Sequence, residues 1–268
     1  MRAIRLIALA VFRESVRDRV PLTIVGFGGL LVAGSYLIGQ MTAGQDLKII
    51  KDLGLAALSI LGLLISVFIG IGLVAKEVER RSIYSLLSKP VTREQFIVGK
   101  YAGLVMTLAV NLAAMTAAYY LVLGYQQLVA TPSQQAAWPA PATDPRLLVA
   151  IVLIFGELML TTALALFFLT FAGPMTAMLL TLALWVAGHF NADLRHFEEV
   201  VDSPVAVSVA RFTYYVVPNL APFNVKAEVV HGVPVPASHV GLTLAYAAVY
   251  IAVLLVAAVA VFRRRDFK

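Results

Sequence analysis

The chain has 268 residues, of which 60% are hydrophobic and 13% charged, and its mean hydropathy is +0.88. Because soluble domains are about 45–50% apolar and about 25% charged, this composition excludes an ordinary soluble protein and indicates a membrane protein. The net charge of +6 can be placed beside anionic lipid headgroups and requires no nucleic acid. Cysteine is absent, which excludes disulfides and thiolate metal sites. The four histidines do not pair at metal-ligand spacing, so the sequence predicts no metal site.

Residues 1–19 predict an amphipathic helix in the membrane interface. Apolar side chains fall on one helical face, and the other face carries Arg2, Arg5, Arg13 and Arg17. Basic amphipathic helices of this kind lie flat at the headgroup level. Charges continue to Arg19 without a small-residue cleavage site, which is not the pattern of a secretory signal peptide. We expect an elbow helix that joins the first span at Pro21, with a signal anchor as the alternative.

Six apolar segments are candidates for transmembrane helices, because about 20 apolar residues cross the hydrocarbon core as a helix. They are residues 21–38, 53–75, 101–123, 147–171, 175–190 and 240–262. The fifth segment spans only about 24 Å at 1.5 Å per residue, so it needs a thinned bilayer or flanking residues. None alternates apolar and polar residues as the strands of a membrane barrel do. The sequence therefore predicts an all-α integral membrane protein with an elbow helix and six spans, forming one transmembrane domain over residues 1–268.

The distribution of basic residues predicts the orientation. With the N-terminus inside, fifteen of the 21 Lys and Arg residues lie on the cytoplasmic side and six on the outer side. Cytoplasmic loops carry the excess of basic residues in membrane proteins. We therefore expect both termini in the cytoplasm and the protein in a bacterial inner membrane.

Residues 77–100 form a charged cytoplasmic segment between the second and third spans. Its apolar residues Ile83, Tyr84, Leu86 and Leu87 fit one or two helical turns, which Pro90 ends. Thr92 and Gln95 have the spacing of a capping box, so the third span is predicted to begin its helix before it enters the membrane. A short amphipathic helix with no cover in its own chain implies a groove on another protein.

Two polar residues are predicted at mid-membrane. Asn111 and Glu157 each lie about 15 Å from the end of their span, so they could meet. An intramembrane acid is a functional candidate by default, and Glu157 would then line a transport path or bind protons. The alternative is structural: a protonated Glu157 hydrogen-bonded to Asn111 or to a nearby threonine. In the second span, Gly62, Ser66 and Gly70 have the small-xxx-small spacing that permits close helix contact, between subunits or within one.

The outer segment, residues 191–239, is too short for an enzyme domain. Ser203 and Pro204 have the pattern of a helix start, and the predicted helix ends before Pro218. We expect it to lie on or dip into the outer leaflet as a lid.

The segment 77–100 resembles the cytoplasmic motif of ABC-2 type permeases, the membrane subunits of a class of ATP-binding-cassette exporters. The matching residues, in order, are Glu77, Glu79, Leu86-Leu87-Ser88, Pro90-Val91-Thr92-Arg93 and Gly99-Lys100. Arg81-Ser82 departs from the Gly-Thr that is frequent in the family. The elbow helix, the six spans and the basic C-terminal tail extend the likeness over essentially the whole chain. The outer residues Tyr214-Tyr215, Pro218-Asn219-Leu220 and Phe223-Asn224 resemble a subset related to gliding-motility and nitrous-oxide-reductase-maturation permeases.

The resemblance implies a subunit without catalytic activity that is driven by two copies of a separate ATPase. A coupling helix, at about residues 82–88, would transmit the motion of the ATPase. The residues implied in this coupling are Glu77, Glu79, Arg80, Arg81, Ser82, Ile83, Tyr84, Leu86, Leu87, Pro90, Thr92 and Arg93. The chain itself would hold no cofactor, since ATP and Mg would be bound by the partner, and Gly99-Lys100 lacks the other residues of a phosphate-binding loop. A second permease copy or homologue would complete the pathway, and a periplasmic protein is a further possible partner.

Other classes of membrane protein fit less of the sequence. An intramembrane serine protease would need a nucleophile and a histidine facing each other at depth, and no Gly-x-Ser-x-Gly motif is present. A proton-coupled secondary carrier that uses Glu157 is the stronger alternative, although the inverted repeats of such carriers are not evident. A membrane scaffold for an envelope complex is the third alternative.

Overall fold

A computed structural model describes residues 3–15, 26–27, 30, 34, 46–69, 71, 92–191, 214 and 217–264. These residues are mostly helical, and no strand occurs among them. We number the helices α1 (residues 3–15), α2 (Asp46–Leu64), α3 (Arg93–Val129), α4 (Pro132–Ala136), α5 (Leu147–Leu169), α6 (Pro174–His189), α7 (Lys226–Val230) and α8 (Ala237–Arg264). A π-helical turn, Ile65–Ile69, follows α2, and a 3-10 turn, Ala221–Phe223, precedes α7.

The predicted all-α membrane fold is confirmed. Within the described part of the chain, four helices are long and apolar enough to cross a bilayer, namely α2 with the π-helical turn, α3, α5 and α8. Helix α6 is apolar but shorter, with 16 residues. Most of the predicted first span, residues 21–38, lies outside the described residues, as do the coupling helix at 82–88 and the start of the predicted outer helix at Ser203. The count of six spans therefore stays a prediction.

Helix α5 is the centre of the bundle. It packs against α2, α3, α6, α7 and α8 and against both short turns. In the most apolar 18-residue stretch of α5, 72% is buried, whereas the corresponding value for α8 is 22%. A helix that is apolar on all sides is suited to such a position, because no face of it requires water. Helix α8 instead presents much of its surface to the surroundings of the chain.

Helix α2 begins at Asp46, whereas the predicted span begins at residue 53. The additional turns contain Lys51, whose side chain is buried. Its ammonium Nζ donates hydrogen bonds to the carbonyl oxygens of Pro141 (2.7 Å) and Ala140 (3.5 Å). A buried charge is tolerated when it is hydrogen-bonded. The extra length of α2 thus depends on a loop that is distant in the sequence.

Helix α3 is longer than the span of residues 101–123 predicted for it. It has 37 residues, or about 55 Å at 1.5 Å per residue, against about 30 Å of hydrocarbon. The predicted capping box is confirmed: the Thr92 hydroxyl accepts from the Gln95 amide N–H, and the Gln95 side chain accepts from the Thr92 amide N–H. One helix therefore runs from a polar start through the membrane and beyond it.

The two ends of the bundle are named here by residues. The Arg93 side is the end at which α3 begins and α8 ends, and the Arg146 side is the end at which α5 begins. Helix α1 lies on the Arg93 side against the first turns of α3. Gly99 faces Ile7, and Gly103 faces Val11 and the carbonyl oxygen of Ala8. Close contact between these helices requires the two glycines, since a Cβ at residue 103 would lie 2.7 Å from that backbone oxygen.

We predict that Gly103→Ala destabilises the protein. The added methyl group meets the Ala8 carbonyl oxygen and the Val11 side chain of α1, and overpacking of this kind costs about 1–3 kcal/mol. Gly124→Ala on the same helix is the matched control, because no atom lies within 4 Å of its Cβ position and alanine favours helix over glycine by about 1 kcal/mol. Thermal unfolding of the two variants in detergent should show a lower midpoint for the first only. Equal midpoints would contradict the packing described here.

Candidate functional site

Glu157 is buried at the middle of α5, with 2% of its surface exposed. It lies ten residues after Leu147, which is about 15 Å along the helix. Its two neighbours in the chain fix the orientation of this turn. Gly156 packs against Leu244 of α8 and Phe223, and Leu158 packs against Gly62 of α2. The predicted close contact at Gly62 is therefore made within the chain, and it leaves the Glu157 side chain pointing towards α6.

Two side chains of α6 contact the Glu157 carboxyl. The Trp185 indole Nε1–H donates a hydrogen bond to Glu157 Oε1 at 2.6 Å. His189, one turn further along α6, places its Nε2 3.5 Å from the same oxygen. The His189 ring also packs against the Trp185 ring, with centroids 4.3 Å apart. A carboxyl, an indole and an imidazole thus form one polar cluster between α5 and α6, buried at Glu157 and partly buried at Trp185 and His189, which we call the Glu157 cluster.

Lys226 at the start of α7 is the next charged group near the cluster. Partial burial lowers the pKa of its ammonium, and the Glu157 carboxyl acts in the opposite direction by favouring the charged form. Lys226 therefore faces the membrane domain and not only solvent. Among the described residues, no group of three or more His, Cys, Asp or Glu side chains could hold a metal ion. The chemistry available to the Glu157 cluster is the binding and release of protons or of a polar ligand.

The segment before α7 is fastened to the Arg146 side of the bundle by its backbone. The Leu220 amide donates to the Gly188 carbonyl oxygen (2.9 Å), and the Asn219 amide donates to the Tyr246 hydroxyl of α8 (2.9 Å). The Asn191 side-chain amide donates to the carbonyl oxygen of Val217 (2.9 Å). These contacts involve the Pro218-Asn219-Leu220 motif noted in the sequence. The motif holds Lys226 near the open end of the α5–α6 hairpin, where α5 begins and α6 ends.

Asn111 does not hydrogen-bond with Glu157. It is fully buried in α3, and its side-chain amide donates to the Thr107 carbonyl oxygen of the same helix (2.9 Å). Its Oδ1 accepts no hydrogen bond from the described residues. Thr161, the threonine one turn after Glu157, bonds the backbone oxygen of Glu157 and not the carboxyl. The two predicted intramembrane residues therefore occupy separate environments.

Sequence reasoning missed Trp185 as the main partner of Glu157. The signal was present in the lengths of the two helices of the hairpin. Glu157 lies 12 residues before the end of α5 at Leu169, and Trp185 lies 11 residues after the start of α6 at Pro174. At 1.5 Å per residue both are about 17–18 Å from the turn. Antiparallel helices joined by so short a turn place these side chains at the same depth.

Of the predicted coupling residues, only Thr92 and Arg93 lie within the described part of the chain. Thr92 caps α3, as described above. The Arg93 guanidinium Nη1 donates to the carbonyl oxygens of Phe262 (3.1 Å) and Arg263 (2.7 Å) at the end of α8. Glu94 forms an ion pair with Arg263. Cationic side chains near the last carbonyls of a helix satisfy those groups and its dipole, so these contacts join the start of α3 to the end of α8.

The Gly99-Lys100 pair lies inside α3 and not in a loop. Gly99 faces α1, and Lys100 is buried with its Nζ 5.6 Å from the centre of the Phe96 ring. Phosphate-binding loops use free backbone N–H groups ahead of a helix, and these two residues are in the helix interior. They serve helix packing in this structure.

Comparison with models of known protein families gives a match. The model of a family described as ABC-2 family transporter protein matches residues 7–267. The match covers nearly the whole chain, from α1 to beyond the end of α8. No curated protein matches the chain significantly.

We predict that Trp185→Phe destabilises the protein by about 1–3 kcal/mol, because it removes a hydrogen bond to a buried polar group. Trp138→Phe is the matched control, since the Trp138 ring is partly buried against the same core but makes no side-chain hydrogen bond among the described residues. Denaturant unfolding in mixed micelles, followed by circular dichroism, measures both variants. Equal losses would mean that ring volume, and not the bond to Glu157, accounts for the effect.

We predict that Arg93→Ala loosens the last turn of α8. Loss of the two bonds to the Phe262 and Arg263 carbonyls should lower the local free energy of opening by about 0.5–1.5 kcal/mol. Amide hydrogen exchange of the peptide that covers residues 256–264 would therefore become faster. Arg13→Ala, on the exposed face of α1, should leave that peptide unchanged. Unaltered exchange in Arg93→Ala would contradict the link between α3 and α8.

Proposed function

The chain belongs to the ABC-2 family of transporter membrane proteins, and from this premise we propose that it is the permease subunit of an exporter driven by a separate ATPase chain. As an integral membrane protein with apolar helices throughout, it would supply the pathway and not the energy. The match over residues 7–267 is the observation that carries the proposal. The position of Gly99-Lys100 in a packed helix supports it, because this pair then offers no nucleotide site.

The coupling of ATPase to pathway is assigned to residues 77–93. In this proposal, the apolar residues of the coupling helix enter a groove on the ATPase, and the charged residues around them set the register. Apolar contacts supply affinity at such interfaces, and charges supply specificity. Helix α3 begins at Arg93, the last residue of this segment, with a capped first turn and is continuous for 37 residues. A force on the segment would therefore reach the interior of the membrane without passing through a flexible joint in α3.

The same force would also reach two other helices. The start of α3 is joined to the end of α8 through Arg93 and Glu94. It is joined to α1 by the close contacts at Gly99 and Gly103. Arg93, expected from the resemblance to face the ATPase, thus has intramolecular partners. We assign it to the transfer of motion from the coupling segment to α8.

The orientation in the proposal places the Arg93 side in the cytoplasm of a bacterium and the Arg146 side outside the inner membrane. The positive-inside rule supports this placement, with fifteen basic residues against six. Two copies, or one copy and a homologue, would form the complete pathway. Helix α8 leaves a row of large apolar side chains exposed, available to lipid or to that second subunit: Leu242, Val249, Val253 and Val256. The resemblance to gliding-motility and nitrous-oxide-reductase-maturation permeases belongs to the same proposal.

A proton-driven carrier is the second candidate, and the contact of His189 with Glu157 is the observation that favours it. The two candidates differ in their need for an ATPase. A permease subunit purifies with an ABC ATPase and regulates its activity, whereas a carrier works alone on an ion gradient.

We predict that Leu86→Glu combined with Leu87→Glu prevents co-purification of the ATPase, because two charges replace the apolar residues that enter its groove. The permease should still be inserted and folded, as size-exclusion chromatography would show. Ala136→Glu is the control, since Ala136 is exposed on α4, on the opposite side of the membrane in this proposal. It should retain the ATPase. Full retention of an active ATPase by the double variant would refute the proposed role of the segment.

A further inference from the structure

We infer that Glu157 and His189 form a proton-binding site within the membrane domain, on the Arg146-side half of the α5–α6 hairpin. Two hydrogen-bond acceptors, His189 Nε2 and Glu157 Oε1, face each other there, and Glu157 is shielded from water. It goes beyond the proposed coupling to an ATPase. Its test requires neither the ATPase nor the transported substrate.

The hydrogen bond that His189 makes to its own helix determines which ring nitrogen carries a hydrogen. Its Nδ1 lies 3.0 Å from the carbonyl oxygen of Trp185. Because a carbonyl oxygen only accepts hydrogen bonds, Nδ1 must carry a hydrogen. In a neutral imidazole the other nitrogen, Nε2, is then an acceptor without hydrogen. That nitrogen is the one that faces Glu157.

The unprotonated nitrogen of His189 faces an oxygen of the Glu157 carboxyl. His189 Nε2 lies 3.5 Å from Glu157 Oε1. With neither group protonated at this contact, two lone pairs would face each other beside a buried charge. A single added proton removes the conflict, whether it resides on Nε2 as an imidazolium or on the carboxyl. The geometry is therefore that of a pair that holds one proton in common.

The surroundings of Glu157 offer few polar groups to stabilise a charged carboxylate. The carboxyl is 2% exposed, and the one hydrogen bond that it receives from the described residues comes from Trp185. A carboxylate at such a depth is costly unless it is paired. Among the described residues, the charged or titratable groups that act on it are His189 of α6 and Lys226 of α7. Helices α2, α3 and α8, which also pack against α5, contribute none.

Protons have access to the pair from one end. The His189 side chain is 20% exposed at the C-terminal end of α6, whereas Glu157 is closed off. The exchange path would therefore run from the Arg146 side through the imidazole to the carboxyl. Histidine commonly serves as such a shuttle, because its ordinary pKa is near neutral.

Proton release would change how strongly the segment from Val217 to α7 is attracted to the hairpin. The pair is neutral overall with one proton and carries one negative charge without it. Lys226 is the cation beside it, so release of the proton strengthens the attraction between α7 and the hairpin. The segment from Val217 to α7 would then be held more firmly at higher pH. Protonation of the pair would loosen it.

Trp185 provides a direct test, because its indole hydrogen-bonds with the carboxyl and the chain has only two tryptophans. Trp138→Phe leaves Trp185 as the sole tryptophan of the full chain, studied in lipid nanodiscs. Its fluorescence is recorded from about pH 4 to pH 9, a range that covers the ordinary titrations of Glu and His. We expect a single transition that corresponds to one proton.

Four further substitutions, each in the Trp138→Phe protein, assign that transition. Glu157→Gln should abolish it, and His189→Gln should move its midpoint. Glu228→Gln and His231→Gln, at exposed positions in and just after α7, should leave it unchanged. If Glu157→Gln does not fold, His189→Gln decides the matter alone. A Trp185 emission that does not vary with pH, a transition that persists in Glu157→Gln, or a midpoint unmoved by His189→Gln would overturn the inference.

Discussion

Close contact of helices at glycine residues is the constraint on which the rest of this structure depends. Lipid is as apolar as a leucine side chain, so helices in a membrane gain little from burial and associate through tight packing. The glycines next to Glu157 and His189 serve this purpose. Gly156 precedes Glu157 and admits Leu244, whereas Gly188 precedes His189 and admits Leu220. Each titratable residue is therefore held by the close packing at its neighbour, against α8 at Gly156 and against the segment before α7 at Gly188.

This arrangement explains why a carboxyl can be kept in a membrane at a fixed orientation. On α5, contacts on both sides of Glu157 prevent rotation of the helix, and its carboxyl is directed at α6. Trp185 and His189 then meet it with defined distances. Neither helix would fix this geometry alone, because a helix with apolar residues on all sides has no preferred face. The polar cluster is thus a product of packing, and it in turn gives the hairpin a unique alignment.

The two ends of the bundle are held by different interactions. On the Arg93 side, α3 and α8 are joined by the Glu94–Arg263 ion pair and by hydrogen bonds from the Arg93 guanidinium to carbonyl oxygens. These polar contacts are at least partly exposed, so the ion pair is weak and sensitive to salt. On the Arg146 side, the segment before α7 is attached by backbone hydrogen bonds and lies near the buried carboxyl of Glu157. The first kind of contact suits an end that would receive motion from the proposed ATPase partner. The second suits an end whose position would respond to the charge on the proposed Glu157–His189 pair.

The sequence by itself determined the class of this protein. The apolar composition and the lack of alternation predicted helices in a membrane, the Thr92–Gln95 spacing predicted the start of α3, and the motif of residues 77–100 indicated the ABC-2 family. All three are confirmed, because each depends on local chemistry or on the solvent properties of lipid. The tertiary structure decided which side chains contact one another. The start of α2 at Asp46 depends on carbonyl groups of a distant loop that receive Lys51, and the partner of Glu157 is Trp185 and not Asn111. Side-chain partners across a helix bundle depend on the rotation of each helix about its axis. Apolar sequences leave that rotation open until close packing fixes it.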